Sequence, residues 1–228
     1  MDTQTDTLTT SIGRNAAGLA IFAFLTAGII GIVQYMSAER IAQNIAQAQA
    51  KALYEITPQS MTDNDVLNDY IELNDDARNL LTLTLLGPIE SEAKIHIARK
   101  NESPIAFIFP VVAPDGYTTS ISLLVGINID GKIAGVRTIE HKETPGLGDK
   151  IELKKSDWIL GFKNHSIKEP ELEGWKVKKD GGEFDQFTGA TITPRAVVGA
   201  VKRALTFFEK HKEQLIQLAA DSRTGVAQ

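Results

Sequence analysis

Residues 120–140, SISLLVGINIDGKIAGVRTIE, read as two strands joined by a turn. Ser120 to Ile129 and Lys132 to Ile139 are rich in branched apolar residues, which pack well on a pleated surface. Between them Asp130-Gly131 is a dipeptide that accepts the positive φ of a tight hairpin. Working outward, a second such dipeptide, Asp115-Gly116, precedes this hairpin, and Ile105 to Val112 before it is a buried-strand run. Further back, Lys94-Ile95-His96-Ile97-Ala98-Arg99 alternates with period two, as a half-buried strand does. An antiparallel sheet follows. Downstream the period becomes helical, briefly from about Ser156 to Phe162 and at length from Pro194 to about Leu218. In the long segment Val197, Val201, Ala204, Leu205 and Phe208 share a stripe, while Lys202, Arg203, Glu209 and Lys210 face away. Strands first and helices after predict an α+β domain with an antiparallel sheet and packed helices over about residues 93–213.

Toward the N-terminus stands a segment of another kind. Ala16 to Met36, AAGLAIFAFLTAGIIGIVQYM, runs 21 residues without a charge. As a helix it spans about 30 Å, the thickness of a bilayer's hydrocarbon core. A cleaved signal peptide needs a shorter apolar core and a basic start, whereas this leader carries Asp2, Asp6 and only Arg14. A retained single transmembrane helix is therefore expected, with Ala-x-Ala patterns near Ala46, Ala48 and Ala50 leaving cleavage as the other reading. Ala23, Ala27 and Gly31 recur every four residues, a spacing that suits a close-packed helix neighbour but is also ordinary membrane-helix composition. Arg14 on one side and Arg40 and Lys51 on the other leave the orientation unread from charge. Beyond the anchor Ile41, Ile45, Ala48, Ala52 and Ile56 keep helical spacing until Thr57-Pro58 stops it. That helix is either an amphipathic stalk or packed on the soluble domain. The expected organisation is a tail at 1–15, the membrane helix at 16–36, a juxtamembrane helix and acidic segment at 37–92, the domain at 93–213 and a C-terminal tail at 214–228.

Composition narrows the function classes. With 29 acidic and 24 basic residues in 228, the net charge of −5 argues against a nucleic-acid groove. Residues 62–92 carry Asp63, Asp65, Asp69, Glu72, Asp75, Asp76, Glu90 and Glu92 against Arg78 alone, and a solvated acidic face accounts for them. The absence of cysteine excludes disulfides, thiolate zinc sites, Cys-ligated iron–sulfur clusters and a thiol nucleophile in this chain. His96, His141, His165 and His211 are scattered, with no pair at metal-ligand spacing. No Walker loop, Gly-x-Ser-x-Gly or Rossmann fingerprint occurs, so the chain is not expected to bind NADH itself.

Two stretches are richer in glycine and threonine than packing requires. One is His141-Lys142-Glu143-Thr144-Pro145-Gly146-Leu147-Gly148-Asp149-Lys150, directly after a strand, and the other is Asp185-Gln186-Phe187-Thr188-Gly189-Ala190-Thr191-Ile192-Thr193-Pro194-Arg195, directly before the long helix. In the second, Thr193 suits an N-cap and Pro194 a first helical position. The loop then lies against a helix N-terminus, whose free amides attract phosphate. Gly189 and Ala190 have almost no side chain and leave the Thr191 hydroxyl open to a bulky partner. A plain loop before a well-capped helix reads equally from these residues.

Asp185, followed by Thr188-Gly189-Ala190-Thr191, resembles the D-x-x-[ST]-G-A-T flavinylation motif of the FMN-binding domain family found in membrane redox complexes. The Glu143-Thr144-Pro145-Gly146-Leu147-Gly148 stretch is similar to that family's second signature. With the N-terminal anchor, the Asp-Gly hairpin and the C-terminal helix, the resemblance covers nearly the whole chain. It points most nearly to the G-subunit family of Rnf-type ion-translocating electron transport complexes. The resemblance implies covalent FMN, joined by a phosphoester to Thr191 by a dedicated FAD:protein FMN transferase. Asp185, Thr188, Gly189, Ala190 and Thr193 would form the attachment loop, and Glu143, Thr144, Gly146, Leu147 and Gly148 the pocket. It also implies a bacterial inner-membrane protein with a short cytoplasmic N-terminus and a soluble domain on the periplasmic side. Such a protein would relay electrons beside other subunits of a complex connecting NADH and ferredoxin or a similar low-potential acceptor. Two readings stand beside it, the C subunit of a sodium-translocating NADH:quinone reductase and a membrane-anchored binding module that is never flavinylated. For the flavin ring, Leu147, Trp158, Phe162, Trp175, Phe184 and Phe187 are candidates by proximity in sequence, each with membership of the core as its alternative. His141 lines the pocket or is structural. Lys176, Lys178 and Lys179 neutralise phosphate or form a solvated run.

Overall fold

A computed structural model describes the backbone of residues 3–224, and the side chains of residues 12–222 apart from Asp75. The elements run α1 (Thr3–Ile56), β1 (Tyr70–Glu72), α2 (Asp75–Leu80), β2 (Lys94–Lys100), β3 (Ser103–Ala113), β4 (Ile121–Asn128), β5 (Ile133–Glu140), a series of short 3-10 turns, and α3 (Ile192–Thr224). The five strands form one antiparallel sheet in chain order, so each pairs with its neighbour through a local connection. The hairpin expected at Asp130-Gly131 joins β4 to β5, and the Asp115-Gly116 turn lies between β3 and β4.

Alternation along the strands sends side chains to two faces. One face holds Phe107, Phe109, Val125 and Ile127, covered by the stripe of α3 that includes Val197, Val201, Ala204 and Leu205. Rings interlock there, Phe109 against Phe207 at 5.5 Å between centroids. The other face holds Ala106, Ile108 and Leu124, covered by Ala52, Leu53 and Ile56 at the end of α1. Gly126 in β4 makes that second contact possible, because a Cβ there would stand 2.2 Å from Ile56 Cγ2. Glu55 adds an ion pair to Arg137 of β5 at 2.7 Å. From Ala52 onward, then, α1 is packed rather than free.

Earlier in α1 the picture reverses. One segment of the described helix is long and apolar enough to cross a membrane, and its large apolar residues are exposed, Phe24 to 86%. The expected boundaries of the domain also shift. Ile71, Leu73, Ala77, Leu81 and Leu86, from the segment read as a solvated acidic face, are all buried in the main core. Asn74 caps α2, its side-chain oxygen accepting the Ala77 N–H at 3.0 Å. At the other end α3 continues to Thr224 with Leu215 and Ala219 fully buried, so most of the tail expected from residue 214 is helix. The guanidinium of Arg99, paired with Asp69, donates to the Ala219 carbonyl at 2.7 Å and holds that last stretch to the sheet. Residues 225–228 of the expected tail, like Met1 and Asp2 of the leader, lie outside the described residues.

Candidate functional site

The first glycine-rich stretch leaves β5 at Glu140 and turns back on itself. Leu147 and Gly148 both donate their N–H to the Thr144 carbonyl at 3.1 Å, and Gly146 N–H donates to Asp149 Oδ1 at 2.8 Å. His141 fixes the start of this loop. Its Nδ1 accepts the Glu143 N–H at 3.0 Å, which leaves the proton on Nε2 to be donated to Glu152 at 2.9 Å. This histidine is structural and is not among the pocket-lining residues.

The second stretch enters α3 two residues earlier than the Thr193 cap predicts. Ile192 is already helical, Thr191 immediately precedes it, and the Thr191 carbonyl accepts the Arg195 N–H at 3.3 Å. Pro194 falls within the first turn, where its missing N–H costs nothing. The hydroxyl freed from capping, that of Thr193, instead donates to Glu143 Oε2. Glu143 is only 4% exposed, and its other oxygen accepts the Thr118 N–H at 3.0 Å. One carboxylate thus ties together the first loop, α3 and the turn between β3 and β4. Gly148 belongs to the same knot, since a Cβ there would come within 2.8 Å of Thr193 Oγ1 and 2.9 Å of Glu143. Gly189 has a φ of +83°, a conformation that a side chain resists.

A pocket of about 320 Å³ opens where these loops meet, lined by Tyr117, Glu143, Thr144, Leu147, Gly148 and the run from Gly189 to Thr193. That volume falls within the range of small-molecule sites. Thr191 is half-buried on its wall and Leu147 is 42% exposed at its edge. Eight of the residues singled out in the sequence therefore come together: Glu143, Thr144, Leu147, Gly148, Gly189, Ala190, Thr191 and Thr193. Asp185, Thr188 and Gly146 do not line it. Asp185 pairs with Lys178 at 2.7 Å, and its carbonyl accepts the indole N–H of Trp158. Thr188 is exposed just before the pocket-lining run.

The aromatic candidates lie elsewhere. Phe162, Trp175, Phe184 and Phe187 are buried, with Phe162 stacked on Phe184 at 4.8 Å and Trp158 set edge-on to Phe187 at 5.0 Å. Lys176 is taken by Glu173 at 2.8 Å, as Lys178 is by Asp185. Arg195, one turn into α3, is held by Asp180. Tyr117 and Ile192 line the pocket although neither stands out in the sequence. Tyr117 follows the Asp115-Gly116 turn, far in sequence from either glycine-rich stretch, and only the turn signal hints that something is presented there. Among the described residues no cluster of three or more His, Asp or Glu side chains gathers to hold a metal.

A helix long and apolar enough to cross a membrane precedes an antiparallel α+β body, whose pocket gathers residues of both glycine- and threonine-rich stretches. The model of the FMN-binding domain matches residues 116–206, and that of the RnfG N-terminal region matches residues 1–56. The chain is 44% identical over 211 residues to the G subunit of the ion-translocating oxidoreductase complex of Shewanella loihica, covering 92% of this chain and 96% of that protein. The corresponding G subunits of Pseudomonas aeruginosa and Vibrio cholerae are 43% and 40% identical over 206 residues, covering 90% of this chain and 92% and 94% of theirs. The chain belongs to this family of G subunits.

Proposed function

We propose that this chain is the membrane-anchored flavoprotein subunit of an ion-translocating oxidoreductase complex, with FMN joined through its phosphate to the Thr191 hydroxyl. The observation that carries the reading is the meeting of both signatures in one pocket at the start of α3. FMN, when bound, supplies a ring system that takes up and passes on one or two electrons. Thr191 supplies the attachment oxygen and takes no part in the redox chemistry. The first amides of α3 have no partners within the helix, and with the helix dipole they meet the negative charge of a phosphoester. That role needs no lysine, which agrees with Lys176 and Lys178 being paired elsewhere. Gly189 and Ala190 keep the approach to Thr191 clear, and Thr144, Leu147 and Gly148 form the facing wall. Glu143 holds the two walls together through Thr193. Asp185 and Thr188 belong to the exposed approach that an FAD:protein FMN transferase must hold during maturation.

In this reading residues 16–36 span the bacterial inner membrane once, and the soluble domain stands on the periplasmic side among the other subunits. The protein is a relay between a donor and an acceptor and has no stand-alone activity. Nothing favours the C subunit of the quinone reductase, and the N-terminal match is to RnfG.

The test is co-expression of the full chain with an FMN transferase, followed by a denaturing gel viewed under ultraviolet light. The wild-type chain gives a fluorescent band and Thr191→Ala gives none, with its circular dichroism unchanged. A band that survives in Thr191→Ala moves the attachment to Thr188 or Thr193. A dark wild-type band sinks the flavoprotein reading in favour of a binding module.

A further inference from the structure

Leu147 and Ile192 give the pocket apolar edges, but no aromatic side chain of the two signatures lines it. The five aromatic residues nearest to them in sequence, Trp158, Phe162, Trp175, Phe184 and Phe187, pack against one another at centroid distances between 4.8 and 6.4 Å. None of them lines the pocket. Among the lining residues the single aromatic side chain is Tyr117, and it is 66% exposed. An exposed tyrosine in a turn is ordinary. This one is set apart by how firmly its backbone is placed. On one side Gly116 is so crowded that a Cβ would stand 2.0 Å from the Thr119 carbonyl oxygen and 3.1 Å from Glu143 Oε1. On the other, Thr118 donates its N–H to that same Glu143 oxygen. The second Glu143 oxygen takes the Thr193 hydroxyl, two residues along from Thr191. Tyr117 is thus held in fixed register with the start of α3, yet its ring is left largely in water.

A flat ring anchored at Thr191 in a pocket open to solvent leaves apolar surface wet unless something lies against it. Tyrosine does this at small entropic cost, with an apolar face for the ring and a hydroxyl for the water. We infer that Tyr117 is the side chain that covers the flavin ring of FMN held at Thr191, an inference that rests on the flavoprotein reading above.

Iodide quenching of flavin fluorescence on the full-length flavinylated chain in detergent tests this, with wild type, Tyr117→Phe and Tyr117→Ala compared. A side chain lying on a flat ring shields about half of its surface, so Tyr117→Ala should raise the quenching constant about two-fold, while Tyr117→Phe stays at the wild-type value. Because Tyr117 is mostly exposed and outside both cores, the variants should fold. Equal quenching in all three labelled proteins overturns the role of Tyr117 and leaves the flavoprotein reading standing. A folded but unlabelled Tyr117→Ala also overturns it, since the residue would then serve maturation. A wild-type chain without flavin overturns the underlying reading, and this inference with it.

Discussion

Two neighbouring regions between residues 141 and 193 use opposite materials. In the aromatic cluster of Phe162, Trp175, Phe184 and Phe187, every large ring is spent on another ring and solvent is excluded. In the pocket six of the ten lining residues are Gly148, Gly189, Ala190, Thr144, Thr191 and Thr193, and hydrogen bonds converging on one carboxylate hold the loops. The contrast teaches that room for a ligand appears where side chains are missing, while bulky residues close to a signature serve the core that keeps that room open.

Mutations can break this contrast or sharpen it. Phe162→Ala should have the largest effect on stability, about 3–5 kcal/mol by the usual cost of truncating a buried aromatic, and urea titration would measure it. The protein that remains folded should still carry its fluorescent band; if the band vanished from folded material, the cluster would belong to the flavin site. Glu143→Ala lies on both sides of the comparison. It strips acceptors from the Thr118 N–H and the buried Thr193 hydroxyl, and each polar group left bare costs about 1–3 kcal/mol. Both the urea midpoint and the labelling yield should fall, and a drop in only one would show that the carboxylate does not join the two functions. Thr191→Ala should shift stability by less than about 0.5 kcal/mol, as a change outside the core does, while removing all label.

The smallest expected effect is on pH dependence. Burial holds the His96 and His211 imidazoles below the ordinary histidine value. For His211 the geometry agrees, since its Nε2 accepts the Thr82 N–H at 3.1 Å and cannot do so once protonated. The unfolded chain binds these protons near its ordinary value of about 6.5 while the folded chain resists them, so stability declines as pH falls below that value. Urea midpoints should be lower at pH 5.5 than at pH 7.5. Neither histidine lines the pocket, so the fluorescent band should be as strong at either pH, and a change in it would tie them to the site after all.

How much of this was legible in the sequence depended on whether a signal was local. β2 to β5 stand within two residues of their expected limits, because period-two patterning and Asp-Gly turns are written in adjacent residues. β1 has three residues and owes its place to pairing with β2, so nothing local announced it, and the acids around it hid Ile71, Leu73 and Ala77. The start of α3 was misplaced because Thr193 and Pro194 are good opening residues in isolation, while Glu143, some fifty residues earlier, claims the Thr193 hydroxyl. Tyr117 was missed for the same reason, as its position is set by a contact across the fold. The glycines and threonines of the pocket were legible because their unusual density is itself a local feature.

The length of α3 has a practical consequence. Its 33 residues amount to a rod about 50 Å long, with Thr191 before one end and Thr224 at the other. A reporter or affinity handle attached near Thr224, or a surface tether fixed there, sits at the end of the rod remote from the pocket. Labelling by the transferase and iodide access can therefore be followed on immobilised protein without the handle crowding the opening.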